Sequence, residues 1–132
     1  MTRGRQKKQR QAERDAGNIA LLTALLMVAI LGSIAFASDV GVAYLARGRL
    51  ISALDAGALA GLSQAFVSSQ AAVTLAQQYV GQNGAQATSI AFDPTALTMT
   101  LSGRQVVPLY FARILGFDTT DVAATVQATP AP

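Results

Sequence analysis

The groups in this sequence that could carry chemistry are few. There are seven carboxylates and ten cationic side chains, with no histidine and no cysteine. Without cysteine there is no thiolate nucleophile, no disulfide and no Cys-ligated metal. Without histidine the usual general base and the commonest metal ligand are missing, so the many serine and threonine hydroxyls have nothing to activate them. Lysine occurs only as Lys7 and Lys8, which excludes a Ser–Lys dyad further along the chain. Glu13 and Asp15 sit in a basic N-terminal stretch. Asp93, Asp118 and Asp121 adjoin turn sequences, where aspartate bonds its own backbone. Asp39 and Asp55 remain. Sixteen residues apart on one helix, they stand roughly 24 Å from each other, whereas the paired carboxylates of a hydrolase lie within about 10 Å. The expectation is a protein that is not an enzyme, with no cofactor, no metal and no small-molecule substrate.

The elements that position these groups are set by composition. Apolar residues make up 52% of the 132-residue chain and charged residues 13%, against roughly 25% charged in soluble domains. The net charge of +3 is uneven: Arg3, Arg5, Lys7, Lys8, Arg10 and Arg14 crowd the first fifteen residues, while the remainder has four arginines against five aspartates. No aromatic in that tail is available to stack on a base, so nucleic acid is not an expected partner. The tail instead abuts "IALLTALLMVAILGSIAFAS", residues 19–38, which contains no charge and no proline. A helix of that length spans about 30 Å, the hydrocarbon thickness of a bilayer. Thr23, Ser33 and Ser38 can return their hydroxyls to helix carbonyls. Basic residues before the span place the N-terminus in the cytoplasm and everything after Asp39 outside. Ala35-Phe36-Ala37 has the A-x-A form of a signal-peptidase site, and cleavage there would release a small soluble binding module. The apolar run exceeds the ~7–15 residues of a signal peptide's core, and no turn follows it, so a retained anchor is the preferred reading.

Residues 39 to about 82 are expected to continue the same helix. Ile51, Leu54, Ala58, Leu62, Ala65, Ser69, Val73, Ala76 and Val80 recur three and four apart, and "GQNG" (81–84) stops it. The period then changes. "ATSIAFDP" (87–94) and "ALTMTLSGRQVV" (96–107) alternate as strands about a "DPTA" turn. "PLYFARILG" suits a short helix opened by Pro108 and closed by Gly116. "DVAATVQA" (121–128) reads as a third strand. The expected fold is α+β: a long helix, half of it in a membrane, covering a small three-stranded antiparallel sheet with one short helix. Its divisions are a basic tail (1–16), a transmembrane helix (17–38), its outer continuation (39–82) and a β-rich region (83–132).

"LISALDAGALAGL", residues 50–62, breaks two habits of helices. It places Asp55 in an apolar run, where a hydrogen-bonded or paired carboxylate is expected, and it contains Gly57 and Gly61 at about 1 kcal/mol each relative to alanine. Ala53, Gly57, Gly61 and Ala65 form a ridge without bulk, the pattern of close helix approach. Its partner is either the protein's own sheet or the helix of another subunit. Asp39 reads as a polar stop at the lipid boundary or as a partner for an arginine of a neighbouring subunit. Arg47 and Arg49, roughly 12 to 15 Å further out along a helix, are placed to meet lipid phosphates or acidic partners.

The run from Gly17 to Leu62 resembles the N-terminal region of TadE/TadG-like Flp pilus-assembly proteins of the tight-adherence secretion system. Asp39, Gly41, Tyr44 and Arg47 match the family's Asp-x-Gly-x-x-Tyr-x-x-Arg pattern. Arg49-Leu50 and Asp55 to Ala60 follow its next segments, with Gly57 in a small-residue position. Residues 39–62 carry the specific part, and a looser likeness extends to Ala128. The sequence departs from the family in two ways. Leu22 stands where a prepilin processed at Gly17 would have glutamate. No Asp-x-Ser-x-Ser motif is present, so the metal-dependent adhesion of longer relatives does not transfer. What the resemblance implies is a pilin-like, single-pass component of the inner membrane, acting structurally. Its partners would be other pilus-assembly subunits and the lipid bilayer, with Asp39, Gly41, Tyr44, Arg47, Arg49, Ala53, Asp55, Gly57, Gly61 and Ala65 as interaction residues.

Overall fold

The structure, a computed structural model, describes residues 3–130, with the side chains at positions 3–7, 9, 10 and 12 outside the described set. Arg3, Arg5, Lys7 and Arg10 of the basic tail are therefore described by backbone alone, and the last two residues of the C-terminal tail lie outside the description. In chain order the elements are α1 (Arg3–Ser63), α2 (Ser69–Gln82), β1 (Ala87–Asp93), β2 (Thr98–Pro108), one 3-10 turn (Ala112–Leu115) and β3 (Thr119–Ala128). The fold is α+β. Two compact units divide the chain, Met1–Ser38 and Asp39–Pro132.

In the first unit the apolar run of α1 has no cover. Leu22 and Phe36 are each 71% exposed, and none of the most apolar stretch is buried. Its polar side chains turn inward to the backbone: Thr23 Oγ1 donates to the Ile19 carbonyl and Ser33 Oγ to that of Ala29, each at 2.8 Å. That removes two donors from the surface, as a lipid environment requires. Among the described residues, α1 is the one helix long and apolar enough to cross a membrane.

In the second unit the strands form an antiparallel meander, order β1-β2-β3. Alternation sends Met99, Leu101 and Val107 of β2 and Val122, Ala124 and Val126 of β3 to one buried face. The other face is polar, with Ser102 and Thr125 hydroxyls 2.9 Å apart and an exposed Arg104–Asp121 pair at 3.6 Å. Over the apolar face lie Leu50, Leu54 and Ala58 of α1 together with Ala72, Ala76 and Val80 of α2. Burying each of the large side chains contributes about 1.5–3 kcal/mol, and these contacts hold the unit together.

Three expectations need correction. The helix beyond Asp39 does not run unbroken to residue 82; it ends at Ser63 and restarts at Ser69. Tight i→i−3 bonds close the turn, from Gln64 N–H to the Gly61 carbonyl and from Ala65 N–H to that of Leu62, both 3.0 Å. Extended Ser68 then caps α2, its side chain accepting the Ala71 N–H at 3.0 Å. The physical reason is cover. A single straight helix would leave residues 72, 76 and 80 in water, whereas the hairpin folds them onto α1 and the sheet. The second correction concerns "PLYFARILG". Pro108 does not open a helix; it ends β2, opposite Thr119, beyond the reach of β1, where its missing N–H removes no ladder bond to that strand. The helical part shrinks to one turn, Ala112–Leu115. Gly116 does close it, at φ +90, donating to the carbonyls of Ala112 and Arg113. Leu97, inside the 96–107 stretch read as a strand, instead sits in the β1–β2 turn at φ 48, and β2 begins at Thr98.

Candidate functional site

The outer part of α1 and the turn after it hold every residue singled out by the sequence, and the structure sorts them into three groups. The first is Asp39 alone, 4% exposed. Its two carboxylate oxygens accept from three successive backbone N–H groups: Oδ1 from Tyr110 at 2.8 Å, Oδ2 from Ala112 at 2.7 Å, and both from Phe111 at 3.3 and 3.1 Å. Burial by itself would raise the carboxyl pKa. The donors at Ala112, Tyr110 and Phe111 outweigh burial, because each stabilises the charged form, and the pKa lies below the ordinary aspartate value. Asp39 therefore fixes the β2–β3 connection to α1. Its lone pairs are engaged inside the chain rather than offered to an arginine of another subunit.

The second group is the small-residue ridge. Ala53 is buried, as are Gly57 and Gly61, and Ala65 falls in the turn, half-buried. A Cβ on Gly57 would overlap Val80 Cγ2 and lie 2.8 Å from the Ala76 carbonyl oxygen. One on Gly61 would lie 2.7 Å from Met99 Cε and 2.8 Å from the Ala72 carbonyl oxygen. The partner of the ridge is thus α2, running back along α1, with β2 beneath it. Both glycines let backbone approach backbone, which the length of any side chain would prevent. Asp55 does not join this face. It is exposed and makes no hydrogen bond or ion pair among the described residues, so the carboxylate partner expected for it is absent. At 100° per residue it lies about 60° beyond Ala58, the near edge of the buried face, and about 160° from Gly57.

The third group is exposed. Gly41, Tyr44, Arg47 and Arg49 face outward over the first turns after Asp39, with Tyr44 76% exposed. Tyr44, Gly48, Arg49, Ser52 and Asn83 line a surface groove of about 530 Å³. The groove is open and shallow, and it gathers one cation, one phenol and two small polar groups without a buried polar side chain. No group of three or more metal-capable side chains occurs among the described residues. What this arrangement can do is pack and present: one carboxylate holds a loop, two glycines seat a helix, and the outward residues remain free for contact.

Sequence reasoning does not reach the partners of Asp39, and of the ridge's two partners it names the sheet, whose Leu101 and Met99 abut Gly57 and Gly61, but not α2. Tyr110, Phe111 and Ala112 serve through backbone N–H, which carries no side-chain signature. Ala72 and Ala76, small and four apart behind a Ser68 cap, were a legible sign that a second helix would come close.

Residues 17–65 match the model of the family described as putative Flp pilus-assembly TadE/G-like. The match takes in the exposed apolar run, Asp39, the outward residues and the glycine ridge, and it stops within the turn that separates α1 from α2. No curated protein and no solved structure matches the chain.

Proposed function

We propose that the chain is a membrane-anchored, pilin-like component of a tight-adherence pilus assembly or related secretion apparatus, acting structurally. The observation that carries this reading is the TadE/G-like match over residues 17–65, which supports involvement in Flp pilus assembly. It coincides with a helix whose uncovered apolar run is of membrane-spanning length. In this reading residues 19–38 hold the protein in the inner membrane as a single pass, with the basic tail in the cytoplasm. The unit from Asp39 onward stands outside and presents Tyr44, Arg47 and Arg49 to other assembly subunits.

The internal use of the glycine ridge refines this role. Gly57 and Gly61 are occupied by α2, so packing against neighbouring subunits falls to the outward residues and to the span itself. Deleting the gene is expected to reduce surface pili and adhesion, with restoration by the wild-type copy. Unchanged piliation in the deletion strain, measured by microscopy of sheared filaments, overturns the proposal.

A further inference from the structure

The β2–β3 connection gathers more exposed large apolar side chains than the α1–α2 turn, which has Phe66 and Val67. Between residues 110 and 117 it carries Tyr110, Phe111, Ile114, Leu115 and Phe117, all exposed, with Ile114 at 84% and Leu115 at 77%. Soluble proteins rarely leave such a patch open to water. Its one charged residue, Arg113, is neutralised by Asp118, with Nε 2.9 Å from Oδ1. Its backbone N–H groups are engaged: Tyr110, Phe111 and Ala112 donate to Asp39, Ile114 to the Phe111 carbonyl, Gly116 to that of Arg113 and Phe117 to that of Ala112. A loop that presents apolar side chains and leaves few N–H groups unsatisfied meets the condition for contact with hydrocarbon.

Its place is fixed by the same carboxylate. Asp39 follows directly on Ser38, the last residue of the apolar run, so the loop is hydrogen-bonded to the first residue after that run. We propose that the 110–117 loop docks into the surface of the phospholipid bilayer that α1 spans. Phe111, Ile114, Leu115 and Phe117 enter the acyl edge, and Tyr110 sits among the headgroups, where aromatic side chains with a polar tip concentrate. The loop then works as a second membrane contact, which restrains the outer unit against the bilayer by a bond to the base of its own anchor.

The inference rests on residues 19–38 spanning a membrane, and the test separates the two. The chain contains no tryptophan, so Leu115→Trp supplies a single reporter in the full-length protein reconstituted into phosphatidylcholine–phosphatidylglycerol vesicles. The expected result is blue-shifted emission, quenched strongly by lipids brominated near the top of the acyl chain. Phe66→Trp, at the α1–α2 turn about 36 Å along α1, is expected to stay unquenched. If Leu115→Trp does not fold, Phe117→Trp reads the same surface. Emission at 115 that matches position 66 overturns the loop contact, and so does a blue shift without lipid quenching, which would show a second copy covering the loop. Protein that fails to float with the vesicles overturns the anchor itself, and the loop contact with it.

Discussion

Residues 19–38 and residues 50–62 lie on the same helix, are both apolar and both contain glycine, yet they meet their surroundings in opposite ways. In the first stretch large side chains point in every direction and remain uncovered: Leu21, Leu25, Val28, Leu31 and Ile34 are all exposed. A Cβ on Gly32 would touch nothing within 4 Å. In the second stretch the buried apolar residues Leu50, Leu54 and Ala58 keep to one face, and Ser52, Asp55 and the exposed Leu59 take the other. There the glycines are crowded. Hydrophobicity alone does not distinguish the two. What does is the width of the apolar surface and the presence of a gap for another backbone. A stripe with a groove calls for protein, and an apolar cylinder calls for lipid.

The comparison breaks or sharpens through substitutions on each side. The largest effect belongs to the crowded glycines. Gly57→Val or Gly61→Val forces a side chain into the Ala76 or Ala72 carbonyl and is expected to destabilise the outer unit by at least about 2 kcal/mol. Gly48→Ala, with nothing within 4 Å, gains up to about 1 kcal/mol of helix propensity. Chemical denaturation of the detergent-solubilised chain reads both, and equal effects at Gly57 and Gly48 would remove the distinction between seam and open helix. Leu54→Ala, at a fully buried position, should cost about 3 kcal/mol in the same assay. Leu25→Ala should leave that transition in place, since no protein covers it. A loss at Leu25 comparable to that at Leu54 would mean the span is covered by protein after all.

Asp39 marks the border between the two stretches and gives the next effect. Its folded pKa lies below the ordinary value because burial is outweighed by three N–H donors. A depressed carboxyl contributes stability that is fully present above its unfolded pKa and is lost as pH falls through the folded one. Thermal melts should therefore drop as pH falls below about 4. In Asp39→Asn that acid-dependent component should vanish, with a lower melting temperature at neutral pH, because an amide has only one oxygen to accept from the loop. Parallel pH profiles for the two proteins would show that the carboxylate does not hold the loop. The smallest effect is expected at Asp55. It is exposed and unpartnered, so Asp55→Ala should change stability by no more than about 0.5 kcal/mol. A larger change would place Asp55 in a contact that this fold does not contain.

Much of this architecture was readable residue by residue. The uncharged twenty-residue run, the alternation of Met99 and Leu101, and the Val122, Ala124, Val126 face all declare their elements locally, because burial on one side leaves a period in the chain. The glycine at 116 declared its left-handed cap. The break at residues 64–68 was not declared. It contains neither glycine nor proline, only a Ser68 cap whose meaning depends on where α2 must go. The site was legible in its membership more than in its roles. Asp39, Gly57 and Gly61 stood out as costly choices, but Asp55 stood out for the same reason and proved to face water.

By itself the sequence determined which surfaces are apolar, where most of the helix and strand lies, and that one stretch is long enough to cross a bilayer. These follow from side-chain transfer energies and backbone periods, which act over a few residues. Only the tertiary structure decided that the ridge at Gly57 and Gly61 seats α2 rather than a neighbour. It also decided that Asp39 binds a loop seventy-one residues away at Tyr110. Both are pairings across long stretches of chain, one through carbonyls and one through backbone N–H. Every residue carries those groups, so no side-chain pattern announces which of them will be used.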